Sequence, residues 1–398
     1  MKKRFYSLDV FRGATVAFMI LVNNPGSWNY IYSPLDHAKW HGCTPTDLVF
    51  PFFLFAVGNA MAYTMPKMQQ EGAVFFWKKT LKRAVLIFLI GLLLNWFPFV
   101  KYNTEGTLEA KVFENLRILG VLQRIALCYF FASVIIYYLK AAKAFIAGLM
   151  LLLIYWAMCL YWGHPGDPYS LEGWFGTAID KIILGESHMY HGEGVAFDPE
   201  GLMSTIPAIM QVILGYFVSD YILQKRKVPD NDRLQNEPIL QNNLYPIIAN
   251  LFVVASLLVF TGFCWDMVFP INKKIWTSSF VLYTTGIAIM VLAVLIHVIE
   301  VHNKTGGWSR FFDVFGKNPL FIFVLSGVWV RLYGLAHIAD GVKDGKPMYK
   351  GLGAWMYDHL FAPAFGNMNG SLIYAIFHII IFWSIAWLLD KKKIYIKV

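Results

Sequence analysis

The chain has 398 residues, of which 57% are hydrophobic and only 15% charged, with a mean hydropathy of +0.51. Soluble domains carry roughly 25% charged residues, so this composition excludes a disordered chain and argues against an ordinary soluble enzyme. The net charge of +9 is spread between apolar runs and not gathered into one basic patch, which fits an anionic lipid surface and gives no reason to expect nucleic acid.

The N-terminus, MKKRFYSLDVFRG, is basic and leads into an apolar stretch, as in a signal peptide, but no A-x-A-like site closes it. It is therefore expected to be retained as the first span. Runs long enough to cross about 30 Å of hydrocarbon, at about 1.5 Å per helical residue, fall at 8-25, 45-65, 82-100, 118-139, 143-162, 202-224, 245-264, 277-300, 314-337 and 370-389. They predict an all-α polytopic bundle of about ten helices, forming a single transmembrane domain over 1-398. An even number puts both termini on one side. With both termini cytoplasmic, 20 Lys and Arg residues fall on the cytoplasmic side and 10 on the other, which is the orientation the positive-inside rule selects.

The segments 26-44, 101-117, 163-201, 265-276 and 338-369 then face a periplasm or lumen. The 163-201 segment carries seven acidic residues against the single Lys181, and reads as a solvated lid or substrate-facing loop. The polar, Pro-containing segment 225-243 is a cytoplasmic linker dividing six spans from four. Cys43, Cys128, Cys159 and Cys264 show neither metal-ligand spacing nor a disulfide framework, so no metal is expected.

Ionisable groups inside apolar spans are costly, about 2.5 kcal/mol or more at a helix centre, and are functional candidates. Asp9 and Arg12 lie one helical turn apart and can pair, for structure or for function. Asn23 and Asn24 close the same helix before Pro25-Gly26, in a capping position or a functional one. DHAKWHGCTPTDLVFPFFLFAVG (36-58) sets His37, Trp40 and His41 just before a span, with Asp47 one turn inside it. An imidazole beside a carboxylate can accept a proton near neutral pH; equally, Trp40 suits an aromatic belt and Asp47 a helix cap.

GVLQRIALCYF (120-130) buries Gln123 and Arg124, and the guanidinium needs an anion, either a protein carboxylate or a ligand phosphate. In FDPEGLMSTIPAI (197-209), Asp198 and Glu200 are available to hold a cation or a sugar amine, or simply favour a helix N-terminus. INKKIWTSSFVLYTTG (271-286) marks a membrane boundary. GKNPLFIF (316-323) offers Lys317 and Asn318 to phosphate or to lipid headgroups. His297 and His378 read as packing residues. No HExxH, P-loop, GxSxG or dinucleotide fingerprint occurs, which removes the usual signatures of metalloproteases, ATPases, serine hydrolases and Rossmann enzymes.

SLDVFRG at 7-13, Asn23, HAKWHGCTPTDLVFPFFLF at 37-55, GVLQR at 120-124, FDPEGLMSTI at 197-206, INKKIWTSSF at 271-280 and GKNP at 316-319, in this order, resemble the heparan-α-glucosaminide N-acetyltransferase family and its bacterial relatives. The resemblance implies a transmembrane transfer of acetyl from cytosolic acetyl-CoA to the amine of a terminal glucosamine on the far side. It places the family's catalytic histidine on His37 and its asparagine on Asn23, with Asp9 and Arg12 as its paired carboxylate and guanidinium. His41 stands between the matched Trp and Gly as a second imidazole.

On this resemblance the expected roles are catalysis by His37, Asn23, Asp9 and Asp47, CoA binding by Arg12, Arg124, Gln123, Lys317 and Asn318, and acceptor binding by Trp40, His41, Asp198 and Glu200. A homodimer is expected, as is a start at the catalytic membrane part without the lysosomal member's N-terminal lumenal region. The compact chain suits a bacterial inner membrane. A sugar transporter or exporter using Asp9, Arg12 and Arg124, and an O-acyltransferase acting on a cell-envelope glycan, are the alternatives.

Overall fold

The structure, a computed structural model, describes residues 5–103, 107–225, 237–343 and 346–396. It is a polytopic helical bundle. The helices are α1 (Tyr6–Asn23), α2 (Val49–Glu71), α3 (Ala73–Trp96), α4 (Val121–Trp162), α5 (Gly176–Leu184), α6 (Leu202–Lys225), α7 (Glu237–Asp266), α8 (Ser278–Leu295), α9 (Gly307–Lys317), α10 (Pro319–Leu335), the short α11 (Leu352–Met356) and α12 (Ala362–Phe365), and α13 (Asn367–Lys391). Among the described residues, two small antiparallel hairpins join helices: β1 (Val100–Tyr102) with β2 (Leu108–Ala110) between α3 and α4, and β3 (His337–Lys343) with β4 (Lys346–Gly351) between α10 and α11.

Among the described residues, six helices are long and apolar enough to cross a membrane, or seven if the bent pair α9 and α10 counts as one broken span. The runs expected at 118-139 and 143-162 form one 42-residue helix, α4, broken at Lys140 with φ 58°. At about 1.5 Å per residue it is twice the thickness of a hydrocarbon core, and the break divides it. The run expected at 314-337 is split: α9 and α10 meet at 80°. Pro319 lacks an amide hydrogen and opens α10 at its first position, as proline does at helix starts. The linker expected at 225-243 lies mainly outside the described residues, and the backbone is already helical from Glu237.

Paired glycines allow close helix crossings, among them those of α2 with α6 and of α1 with α9. A Cβ on Gly58 of α2 would lie 2.0 Å from the Val212 carbonyl oxygen, and one on Gly215 of α6 would lie 2.2 Å from that of Phe55. Gly13 of α1 and Gly316 of α9 approach Phe312 and Asp9 in the same reciprocal way. Small residues at both sides of a crossing let backbones meet directly. The second crossing brings Arg12 and Lys317 to one end of the bundle.

The 163-201 segment differs from the expected solvated lid. Trp174, Phe175 and Phe197 are buried with Tyr155 of α4 and Phe269 after α7. Its aromatic residues build a core of their own that a count of carboxylates hides, so it is a packed cap.

Candidate active site

α2 is entered through a 3-10 turn, Pro45–Leu48, capped by Thr44. Asp47 serves this turn with one oxygen: Oδ2 accepts the backbone N–H groups of Thr44 and Ala38, each at 3.0 Å. Its Oδ1 lies 2.6 Å from Nδ1 of His37. The two readings of Asp47, cap and imidazole partner, thus occupy different atoms of one carboxylate. The Asp47 side chain is 2% exposed and that of His37 39%, so a buried anion orients an accessible ring. With Nδ1–H donated to Asp47, Nε2 keeps its lone pair.

Lys273 completes the group. Its Nζ lies 3.4 Å from Asp47 Oδ1 and 3.1 Å from His37 Nδ1. Burial pushes the Lys273 ammonium below the usual lysine range, and Asp47 pulls it part of the way back. The residue types of INKKIW mark a membrane boundary and the segment joins the family resemblance, but neither gives Lys273 a role; a lysine directly before a span is the available signal.

Trp40 fastens the cap to this loop, donating from Nε1 to the Tyr169 carbonyl at 2.8 Å and packing on Phe197. Lys274, paired with Glu193 at 2.7 Å, lies over the Trp40 ring. His41 is exposed and turns to Asn272, 3.3 Å away, not to Asp47. Burial lowers its pKa against the pull of Asp167 and Asp266. Asn23 is exposed at the end of α1. Val22 and Leu35 border one cavity of about 20 Å³, which puts Asn23 on the face that carries the His37 loop. Asn24 is the buried member of the pair, donating to the Ile20 carbonyl.

Asp198 and Glu200 are spent on an arginine that the sequence did not single out. Arg117 grips Asp198 with Nη2 at 2.6 Å and Nε at 3.1 Å, and reaches Glu200 at 2.5 Å. Burial alone would lower the guanidinium, but Glu200 and Asp198 outweigh it and raise it above its usual range. Glu200, which burial would raise, is held low by Arg117 and Arg124. Both carboxylates are thus paired with a guanidinium of the chain itself.

Arg124, fully buried, reaches the turn between them: Nη2 donates to the Pro199 carbonyl at 2.7 Å and to Ser204 Oγ. Its partners are neutral oxygens, neither a carboxylate nor an open phosphate site. Gln123, also buried, donates to the Ile118 carbonyl at 2.9 Å and joins α4 to its own approach.

At the other end of the bundle, a cavity of about 530 Å³ opens between α2, α3, α4 and α10, lined by Arg12, Arg83, Lys317 and apolar side chains such as Phe53, Leu122 and Phe323. Arg12 pairs with Asp9 at 2.6 Å and donates to the Gly316 carbonyl, so Asp9 holds a cavity residue and belongs to this end, not to the dyad. Lys317 lies between Asp313 at 2.8 Å and Asp390 at 3.0 Å. Asn318 is buried, and both ends of its amide hold the C-terminal tail: Nδ2 donates to the Ile394 carbonyl and Oδ1 accepts from Ile396 N–H. Tyr395 and Ile396 of that tail line the cavity, so Asn318 shapes its wall from behind. Arg83 was missed as one of several basic residues before the third span.

A family model described as heparan-alpha-glucosaminide N-acetyltransferase, catalytic, matches residues 4–241. The heparan-alpha-glucosaminide N-acetyltransferases of Homo sapiens and Mus musculus are 27% and 26% identical to the chain, across 81% of it in both cases and across 52% and 53% of their own lengths. The chain spans about half the length of the curated relatives it matches. With a carboxylate-oriented histidine at one end of a helical bundle and a basic-lined cavity at the other, and with this match over more than half its length, the chain belongs to the heparan-alpha-glucosaminide N-acetyltransferase catalytic family.

Proposed function

We propose that the protein transfers an acetyl group from cytosolic acetyl-CoA to the amine of glucosamine or of a glucosamine-terminated glycan on the periplasmic or lumenal side. The observation that carries this reading is the placement of two unlike sites at opposite ends of one bundle. Three cationic side chains and an apolar shaft suit a polyanionic head with a thin arm. The imidazole with a buried carboxylate behind it suits a general base.

In the reaction, the amine nitrogen attacks the thioester carbonyl carbon. The C–N bond forms as the C–S bond breaks, His37 Nε2 takes the proton lost by nitrogen, and CoA leaves as thiolate to be protonated from water. Asn23 supplies a hydrogen bond to the developing oxyanion. Direct transfer is preferred to an acetyl-histidine because it needs fewer steps.

The topology that serves this chemistry has ten spans: α1, α2, α3, the two halves of α4, α6, α7, α8, α10 and α13. Both termini are cytoplasmic, the membrane is a bacterial inner membrane, and the assembly is a homodimer. Purified protein supplied with acetyl-CoA and glucosamine should yield N-acetylglucosamine by mass spectrometry, and a folded His37→Ala variant should not. Glucosamine transport without acetylated product, or an O-acetylated product alone, would replace this reading.

A further inference from the structure

The cavity and the dyad do not meet. On α2 the cavity begins at Phe53, six residues past Asp47, or about 9 Å along the helix axis. Phe50 lies between them, one turn from each. Trp276 closes the turn that Lys273 opens, its backbone N–H donating to the Lys273 carbonyl at 3.1 Å. Arg124 sits between Leu122 and Ile125, both of which line the cavity.

These three side chains pack on one another. The Phe50 and Trp276 rings meet at 4.9 Å, edge to face, and the Arg124 guanidinium lies 5.0 Å from the Trp276 centroid. Arg124 and Trp276 are fully buried. Two costs gather here. Nε and Nη1 of Arg124 and Nε1 of Trp276 have no hydrogen-bond partner among the described residues, and buried donors left unpaired are costly. Trp276 also holds φ 51°, a left-handed conformation that is strained for a bulky residue.

We propose that Phe50, Arg124 and Trp276 form the gate through which the acyl group reaches the dyad, with the free N–H groups of Arg124 and Trp276 serving the thioester carbonyl oxygen and the indole limiting acyl length. This rests on the acyl-transfer reading above. An acceptor entering the partition satisfies the orphaned donors and polarises the carbonyl carbon. Trp276 is the bulkiest of the three side chains, so its indole sets how far an acyl chain can extend through the partition.

The test is transfer to glucosamine from acetyl-, propionyl- and butyryl-CoA by wild type, Trp276→Leu and Trp276→Phe, with CoA binding measured alongside. Trp276→Leu should raise the butyryl-to-acetyl ratio of kcat/KM by about tenfold or more, the scale of methylene discrimination in apolar pockets, with the Kd for CoA unchanged. Trp276→Phe, which keeps a ring and loses the donor, should lower acetyl kcat without raising KM and keep the acetyl preference. A folded Trp276→Leu with an unchanged chain-length ratio overturns the gate while leaving the enzyme reading intact. Wild type inactive with every acyl-CoA overturns both.

Discussion

His37 Nδ1 and Asp47 Oδ1 lie 2.6 Å apart, while Oδ2 of the same carboxylate holds the backbone of Ala38 and Thr44. One residue therefore fixes the start of α2 and the tautomer of the ring. The loop bearing His37 cannot shift relative to the helix without breaking the same contacts that orient the imidazole.

Asp47→Asn is the sharpest test of that coupling. An amide can accept from only one of its two terminal atoms, so it cannot both cap the turn and receive Nδ1–H. Turnover should fall by about 10²–10⁴-fold, the range for losing general-base action, with CoA binding retained because the cationic groups of the cavity, Arg12, Arg83 and Lys317, lie at the far end of the bundle from Asp47. Steady-state kinetics beside a CoA titration would show it. Retained kcat would mean that the ring needs no carboxylate.

Arg83→Gln probes the cavity without disturbing an ion pair. The neighbouring cationic residues have internal partners, Asp9 for Arg12 and Asp313 with Asp390 for Lys317, whereas Arg83 stacks on the Tyr129 ring and its buried Nε has no hydrogen-bond acceptor among the described residues. Loss of one charge-assisted phosphate contact should weaken CoA binding by about ten- to a hundredfold, at roughly 1.5–3 kcal/mol for hydrogen bonds to charged groups. The loss should shrink as salt is raised. Acetyl-pantetheine, which lacks the nucleotide phosphates, should bind wild type and variant alike.

What the sequence made legible was local. Apolar runs locate the helices because a bilayer demands about 20 of them in a row, and His37 finds Asp47 within one segment, ten residues on. What it hid was distant. Lys273 meets His37 across 236 residues and Arg117 meets Asp198 across 81, and no periodicity reports such pairings. Asn318 illustrates the same limit: beside Lys317 it reads as a phosphate ligand, yet the returning C-terminal tail consumes both ends of its amide.

Asp180 gives the cap a pH dependence. The α5 carboxylate is buried, accepts the Leu202 N–H through Oδ1 at 2.9 Å, and has no partner for Oδ2 among the described residues. Burial raises its pKa from 3.8 to about 7, with Asp198 adding to the shift. Between those two values the folded state holds a proton that the unfolded state has lost, so stability falls as pH rises through this window and levels off above about 7. The effect is of order a few kcal/mol at most. Asp180→Asn should flatten the profile and gain stability over wild type at about pH 8 while matching it near pH 4. Thermal unfolding across that range decides; an Asn variant with the same slope as wild type would show that another group titrates.

Arg117 separates a structural from a ligand-binding role for Asp198 and Glu200. Asp198 has a fully buried side chain and takes a two-pronged contact from the guanidinium. Removing the arginine strands two carboxylates in a packed region, and breaking a buried pair from one side costs about 3–5 kcal/mol. Arg117→Met should therefore lower the melting temperature sharply. Arg117→Met combined with Asp198→Asn and Glu200→Gln should recover much of the loss, since no charge is then left unpaired. If the carboxylates instead held the acceptor amine, the triple variant would regain stability and still show a large rise in the KM for glucosamine. With Arg117 as their partner, the KM of the refolded triple variant should stay within about threefold of wild type, a difference below 1 kcal/mol.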